Sequence, residues 1–389
     1  MRFLLIVCIL LSSFFADGQE MRIGLMRTLK IKSCSINVIS GEYSVYGDSL
    51  YLDNTSALRV TLEGEKIRIA YNGKSGTYSK IILMENETNS SFEVKSIVPN
   101  SRVHTYRNNL EFTSEAGRLR IVNLVDMNNY LAGVIESEGG GGKKLEYYKV
   151  QALMSRTYVL KNQKRHLKEG FQVCDGVHCQ AYHNMLRHTP IILDAVIATS
   201  GKVLVDENNQ MVTSYFSANC GGQTCDASFV WNTSVPFLTS FIDTFCVTTR
   251  QATWTKNIRK QDWSSFLEQE YGVSEKVYGE LIYNFEQAER KAFFIHPSLG
   301  VPLRDLRKKF KLKSTFFSSR LEGENVVLNG RGFGHGVGLC QEGAMNMAKA
   351  GYSYDQIARF YFENVSVIDY YRDLFFNQRN FEEITEDQP

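Results

Sequence analysis

Polar and apolar positions alternate in short runs through the first third of the chain, and that alternation predicts strands. Ser35-Ile36-Asn37-Val38-Ile39 stops at Ser40-Gly41, and Ser44-Val45-Tyr46 stops at Gly47-Asp48. Arg59-Val60-Thr61-Leu62 and Lys66-Ile67-Arg68-Ile69 flank Glu63-Gly64-Glu65, the pattern of a hairpin. Arg118 to Leu124 is a further strand. Residues 19–124 therefore read as a mainly-β region, with no chemical motif in it.

At Asp126 the period changes. Asp126 can cap a short helix carrying Tyr130, Leu131, Val134 and Ile135, which Gly139 to Gly142 would stop. A longer helix follows from about Lys144, with Tyr147, Val150, Met154 and Tyr158 as a core-packing stripe. Ile191 to Val205 reads as a helix followed by a strand, and Met211 to Asn219 as a strand entering the tight turn Cys220-Gly221-Gly222. Residues 255–295 read as partly helical, and 304–317 as a helix or loop leading into strands, with Val326-Val327-Leu328 beyond. After the glycine-rich run that begins at Gly330, a helix is expected from Gln341 to Gly351. Ser353 and Gln356 then form a capping box for a last helix through Ile357, Phe360 and Tyr361. The fold class expected is α+β, with a central mixed α/β catalytic core over 125–376 beside the mainly-β region.

The ends have a different character. Arg2 precedes the mostly apolar run Phe3 to Phe15, and Ala16-Asp17-Gly18 has the small-x-small pattern of a cleavage site, so residues 1–18 read as a secretion signal. The run is too short for a membrane helix. The polar, acidic stretch 377–389 reads as a disordered tail. Composition is that of a soluble globular protein, 43% apolar and 22% charged. With 44 basic and 42 acidic side chains, charge gives no argument for a nucleic-acid partner, and no transmembrane segment is expected. The expected location is exported: periplasm, cell wall or outside the cell.

Two stretches carry candidate chemistry. Glu136 and Glu138 sit where the first helix gives way to glycines. A carboxylate that exchanges a proton near neutral pH needs a poorly solvated setting to raise its pKa. Downstream, His166, Cys174, His178 and Cys179 offer two thiolates and two imidazoles, a tetrahedral zinc set; a Cys174–Cys179 disulfide is the other reading. Four protein ligands leave no open position, so such a zinc is structural. The Gly330 to Gly343 loop lacks the lysine of a phosphate cradle. Its His335 either presents an imidazole to a cleft or holds loop carbonyls.

The stretches YLAGVIESE, VQALMSRTY, CDGVHCQAY, SANCGGQT and GRGFGHGVGLCQEGAMNMAKAG resemble the successive motifs of the stage II sporulation protein D (SpoIID) family, which includes the amidase-enhancer LytB-type domains. The resemblance runs from about Met21 to Ile368 and is strong from Tyr130 onward. It implies a lytic transglycosylase acting on peptidoglycan glycan strands. The family's Y-x-x-G-V-V-x-x-E motif puts the catalytic glutamate at Glu138, with Tyr130 and Gly133 matching, and leaves Glu136 a solvated helix-end residue. It also implies zinc on His166, Cys174, His178 and Cys179. Gly221, Gly222, Gly334, His335, Gly336 and Gln341 are expected to bind substrate. The chain departs from the family in carrying Gly139 to Gly142 where Met-Pro is frequent, and Cys220 and Cys340 where serine is common. A Cys220–Cys340 disulfide joining the two glycine motifs is therefore an expectation.

The leading functional expectation is cleavage of the bond between N-acetylmuramic acid and N-acetylglucosamine, leaving a 1,6-anhydro end, with Glu138 as general acid and then base. The alternatives are a non-catalytic peptidoglycan-binding module that stimulates a separate cell-wall amidase, and a zinc hydrolase. Two thiolate ligands and a closed shell argue against the last.

Overall fold

Alternating burial along the early strands gives the sheets one face each to pack. In Ser33–Ser40 the buried positions include Cys34, Ile36 and Val38; in Ala57–Glu63 they are Leu58 and Val60; in Lys66–Tyr71, Ile67 and Ile69. The computed structural model describes residues 19–46, 50–52, 57–370 and 372. The secretion-signal and tail readings, and the turn at Gly47-Asp48, lie outside the described residues.

The chain divides into two units, Met1–Gly142 with Gln151–Ser200, and Lys143–Val150 with Gly201–Pro389. The boundary expected between 124 and 125 falls inside the strand Arg118–Asp126. In the first unit, a seven-stranded sheet runs, in spatial order, Val173–Cys174, Glu20–Leu25, Arg118–Asp126, Asn109–Glu115, Lys80–Glu85, Tyr43–Tyr46 and Leu50–Leu52. A six-stranded sheet has the order His104–Arg107, Ser91–Val98, Ser33–Ser40, Ala57–Glu63, Lys66–Tyr71 and Lys74–Tyr78. The expected hairpin is present, with Glu63 opposite Lys66 and Gly64 at φ 61° in the left-handed region that its turn requires. Arg118–Asp126 is buried from Ile121 to Val125, as a strand paired on both sides should be.

The helix Met127–Gly139 follows directly, and Asp126 accepts from the N–H groups of Asn128 and Asn129 as its cap. It packs on the helix Ile191–Ala198, and Tyr130, Leu131, Val134 and Ile135 are among its buried residues. The longer helix spans Leu145–Lys161.

The second unit is built from smaller sheets. Phe317–Glu322, Asn325–Arg331 and Thr253–Arg259 form an antiparallel three-stranded sheet over an aromatic core including Trp263, Phe285 and Phe294. Lys202–Val205 pairs with Ser366–Asp369, and Phe216–Ser217 runs parallel to Leu339–Cys340. Only Phe216–Ser217 of the expected Met211-to-Asn219 strand is regular; this stretch runs between an isolated bridge at Met211 and another at Asn219. The helices Gln341–Lys349 and Tyr354–Tyr361 are where the pattern put them, and Ser353 and Gln356 make both halves of the capping box. The α+β class is borne out.

Candidate functional site

Glu138 occupies the last turn of the helix Met127–Gly139. That helix can lie against the segment 180–188 because position 133 is glycine. A Cβ there would stand 2.5 Å from the Asn184 carbonyl oxygen and 2.6 Å from the Tyr182 ring. The segment is then tied to the helix by a series of hydrogen bonds. Ala181 N–H donates to Glu138 Oε1 at 3.0 Å, and His183 N–H to Ser137 Oγ at 3.4 Å. Arg187 and His188 N–H donate to the two oxygens of Glu136 at 2.8 and 2.9 Å. Tyr130 donates its hydroxyl to Gln180 Oε1 at 3.2 Å.

These contacts separate the two acids. Glu136 spends both oxygens on backbone N–H groups and is a structural clamp rather than a merely solvated side chain. Glu138 is half-buried, and burial raises its pKa above the ordinary carboxylate value, opposed by the Ala181 N–H. Gly140 ends the helix at φ 62°, with its N–H on the Glu136 carbonyl, a conformation that a β-carbon would strain.

Two residues before Ala181 stands Cys179, a member of the His/Cys cluster. Its Sγ lies 3.5 Å from His166 Nε2 and 3.6 Å from His178 Nδ1, and Cys174 Sγ lies 3.9 Å from His178 Nδ1. The four ligand atoms all fall within 4.8 Å of one another. A tetrahedron with Zn–S of about 2.3 Å and Zn–N of about 2.0–2.1 Å has edges of about 3.3–3.8 Å, so the donor set fits zinc.

Supporting contacts fit it too. Glu169 accepts from His166 Nδ1 at 2.6 Å, the carboxylate–histidine contact that orients a ligating imidazole. Glu169 itself is held down to about 2, first by its hydrogen bond from Arg27 and also by His166. Arg165 donates to the His178 carbonyl and to the Tyr158 hydroxyl. The cluster is anchored on the sheet edge, where Ile23 and Gly24 pair in parallel with Val173 and Cys174. Gly24 leaves room for the Phe171 ring, whose centroid is 5.2 Å from that of His166. Asp175 accepts from Met26 N–H at 2.7 Å, and burial pushes its carboxyl up to about 6. Sequence reasoning missed Glu169 and Asp175. The His166-x-x-Glu169 spacing was the signal for the first, and the position of Asp175 within CDGVHC the signal for the second.

In the second unit the two glycine motifs meet backbone to backbone. Asn219 and Phe333 exchange N–H···O bonds of 3.0 and 2.8 Å, and Cys225 N–H donates to the Gly336 carbonyl at 2.8 Å. A Cβ on Gly221 would lie 2.7 Å from the Arg331 carbonyl carbon, and one on Gly332 2.6 Å from the Asn219 oxygen. Gly221, Gly222, Gly334 and Gly336 all have positive φ. Arg290 donates to the Cys220 and Gln223 carbonyls at 2.6 and 2.8 Å, beneath Gly336.

His335 is tied to backbone groups on both sides. Its Nδ1 accepts from Val337 N–H at 3.0 Å, and it bonds the Phe216 backbone as well. Burial, reinforced by Arg307 and Arg290, lowers its pKa to about 4. The Trp231 and Tyr215 rings lie beside it, at 5.3 and 6.1 Å between centroids, and Trp231 and Phe333 remain exposed. Gln341 opens its helix, buried, with no hydrogen-bond partner for Nε2 among the described residues.

The expected Cys220–Cys340 disulfide is not formed; the described cysteines are all free. Cys220 Sγ lies instead 3.4 Å from Cys246 Sγ, and Cys340 Sγ accepts from Cys220 N–H. The sequence alone gave no reason to bring Cys246 into that group.

Residues 115–205 match the family model described as SpoIID, stage II sporulation protein, a span holding Glu138 and the whole His/Cys cluster. The chain is 27% identical to an uncharacterized protein of Brachyspira hyodysenteriae, over 86% of this chain and 89% of that one. It is 28% identical to stage II sporulation protein D of Bacillus subtilis, over 65% of this chain and 77% of the other. It is also 28% identical to the amidase enhancer of Bacillus subtilis, over 62% of this chain but only 40% of that longer protein. The likeness read from the motifs is thereby borne out: over residues 115–205 the chain is similar to the SpoIID family, and over a longer stretch to stage II sporulation protein D and the amidase enhancer.

Proposed function

We propose that this protein acts on the bacterial cell wall as an exported lytic transglycosylase, cleaving peptidoglycan glycan strands with Glu138 as its general acid and base. The observation that carries the reading is the setting of Glu138: a half-buried carboxyl at a glycine-terminated helix end, its pKa raised, held by one backbone N–H. The likeness to stage II sporulation protein D and to the amidase enhancer supports a cell-wall role.

Protonated Glu138 donates to the glycosidic oxygen as the bond from that oxygen to C1 of the muramyl residue breaks. The resulting carboxylate takes the proton of the muramyl C6 hydroxyl, whose oxygen forms the new bond to C1. No water enters, so the second carboxylate of an ordinary glycosidase is not needed. General acid–base help of this kind contributes roughly 10²–10⁴-fold. The Ala181 N–H orients the carboxyl while leaving its other oxygen free of that bond.

Zinc on His166, Cys174, His178 and Cys179 would supply a cross-link rather than chemistry, since four protein ligands complete its shell. Through Cys179 the cross-link would fix the backbone that carries the Ala181 N–H. Gly221, Gly222, Gly334, His335, Gly336 and Gln341 remain the proposed substrate-binding set. In it the glycines keep the backbone low and the exposed Trp231 and Phe333 offer ring faces to sugars.

The likeness to the amidase enhancer favours a second reading, a glycan-binding module that stimulates a separate amidase. Incubating the secreted chain alone with purified glycan strands tests between them. Release of soluble fragments supports the enzyme. Binding without release, with faster stem-peptide removal once an amidase is added, supports the module.

A further inference from the structure

Away from the His/Cys cluster, the second unit buries another set of metal-ligating groups. Cys220, Cys246, Cys340 and Asp243 are each 0% exposed, and one ligand atom from each falls within 4.8 Å of the rest. Cys220 Sγ is 3.4 Å from Cys246 Sγ and 3.1 Å from Asp243 Oδ2. Edges of about 3.5–3.8 Å are what zinc bound to sulfur and carboxylate oxygen needs, so small adjustments would seat it. From this geometry we infer that Cys220, Asp243, Cys246 and Cys340 form a second, structural zinc site.

The surroundings are those of thiolates. Gly222 N–H donates to Cys246 Sγ at 3.3 Å, while Cys220 and Gly343 N–H donate to Cys340 Sγ at 3.3 and 3.4 Å. Tyr361 donates its hydroxyl to Asp243 Oδ2 at 3.0 Å, and Phe245 N–H donates to Oδ1 at 2.9 Å, which orients the carboxylate. Position 343 is glycine because a Cβ there would lie 2.1 Å from the Tyr361 oxygen and 2.7 Å from Asp243 Oδ2. Asp243 and Cys246 have the x₂ separation common in zinc knuckles, and three sulfurs with one oxygen favour zinc over the harder divalent ions. A Cys220–Cys246 disulfide would use two of the four groups and leave the Cys340 thiol and the Asp243 carboxylate buried without a cation. Zinc engages all four. It would pin the two glycine motifs, through Cys220 and Cys340, to the segment 243–246.

The test is zinc content by native mass spectrometry on the full mature chain, purified without added metal and with thiols protected from air. A Cys174→Ser/His178→Ala variant isolates the second site, which should retain one zinc; adding Cys246→Ser should remove it. Should either variant fail to fold, the unsubstituted chain is alkylated with and without a zinc chelator. Chelation should then expose Cys220, Cys246 and Cys340 together. A folded Cys174→Ser/His178→Ala chain without zinc would overturn the inference. So would a recovered Cys220–Cys246 disulfide, or alkylation of these three cysteines that chelation leaves unchanged.

Discussion

The backbone N–H of Ala181 donates to the carboxyl of Glu138 at 3.0 Å, joining residues 43 apart. Ala181 follows Cys179 by two positions, so whatever fixes the His/Cys cluster also fixes this hydrogen bond. The His/Cys cluster and the acid are linked through three residues of backbone, Cys179 to Ala181.

That linkage sets the first prediction. His178→Ala should lower zinc content at the first site, weaken amide protection over 175–188 in hydrogen exchange, and reduce glycan cleavage while Glu138 is intact. Unchanged exchange over that segment in a zinc-depleted chain would break the link.

Glu138 should destabilise the fold that it serves. Its folded pKa is raised above the unfolded value by burial. Its stabilising contribution is therefore complete below the unfolded pKa, near 4.3 on the reference scale, and lost as pH rises through the folded value. Glu138→Gln should accordingly raise Tm at pH 7 relative to the parent, with a smaller gain at acidic pH. Thermal melts of both proteins across that range give the answer. Cleavage by the parent should fall as pH rises through the same raised pKa, because the general acid must start protonated.

Glu136 should behave in the opposite way. Its two oxygens hold the Arg187 and His188 N–H groups. Glu136→Gln replaces one acceptor by a donor facing an N–H, and hydrogen bonds to charged groups contribute about 1.5–3 kcal/mol. Chemical denaturation should register a loss of that order, while kcat stays close to the parent value.

The first helix was legible because its signals are local. Asp126 caps it, the apolar face repeats at helical spacing, and the glycines after Glu138 end it. The Ser353–Gln356 box and the hairpin around Gly64 are local for the same reason. What the chain did not disclose depends on distant partners. Both large sheets order their strands out of sequence, and Glu136 looked solvated because Arg187 and His188 lie 51 and 52 residues further along the chain. The three-thiol group needs Asp243 and Cys246, whose two-residue spacing does not by itself point to the distant Cys220 and Cys340. Met211 to Asn219 looked like a strand by composition, yet only Phe216–Ser217 finds a regular parallel partner, at Leu339–Cys340.

The glycine motifs yield a prediction about backbone fit. Gly332 has φ 77°, and a Cβ there would meet the Asn219 oxygen at 2.6 Å. The left-handed conformation alone costs a non-glycine residue roughly 1–2 kcal/mol. Gly332→Ala should lose more than that in equilibrium unfolding. Gly351→Ala, also at positive φ but with nothing near its Cβ, should lose only the conformational part. Equal losses would mean that close packing of the two motifs is not what Gly332 provides.

If Glu138 cleaves glycan by internal attack, mass spectrometry of purified glycan strands incubated with the protein tests it most directly. Internal attack should give fragments ending in 1,6-anhydro-N-acetylmuramic acid, lighter by one water than hydrolytic products, with near-complete loss of those fragments in folded Glu138→Gln. Reducing-end products, or undiminished cleavage by that variant, would contradict it.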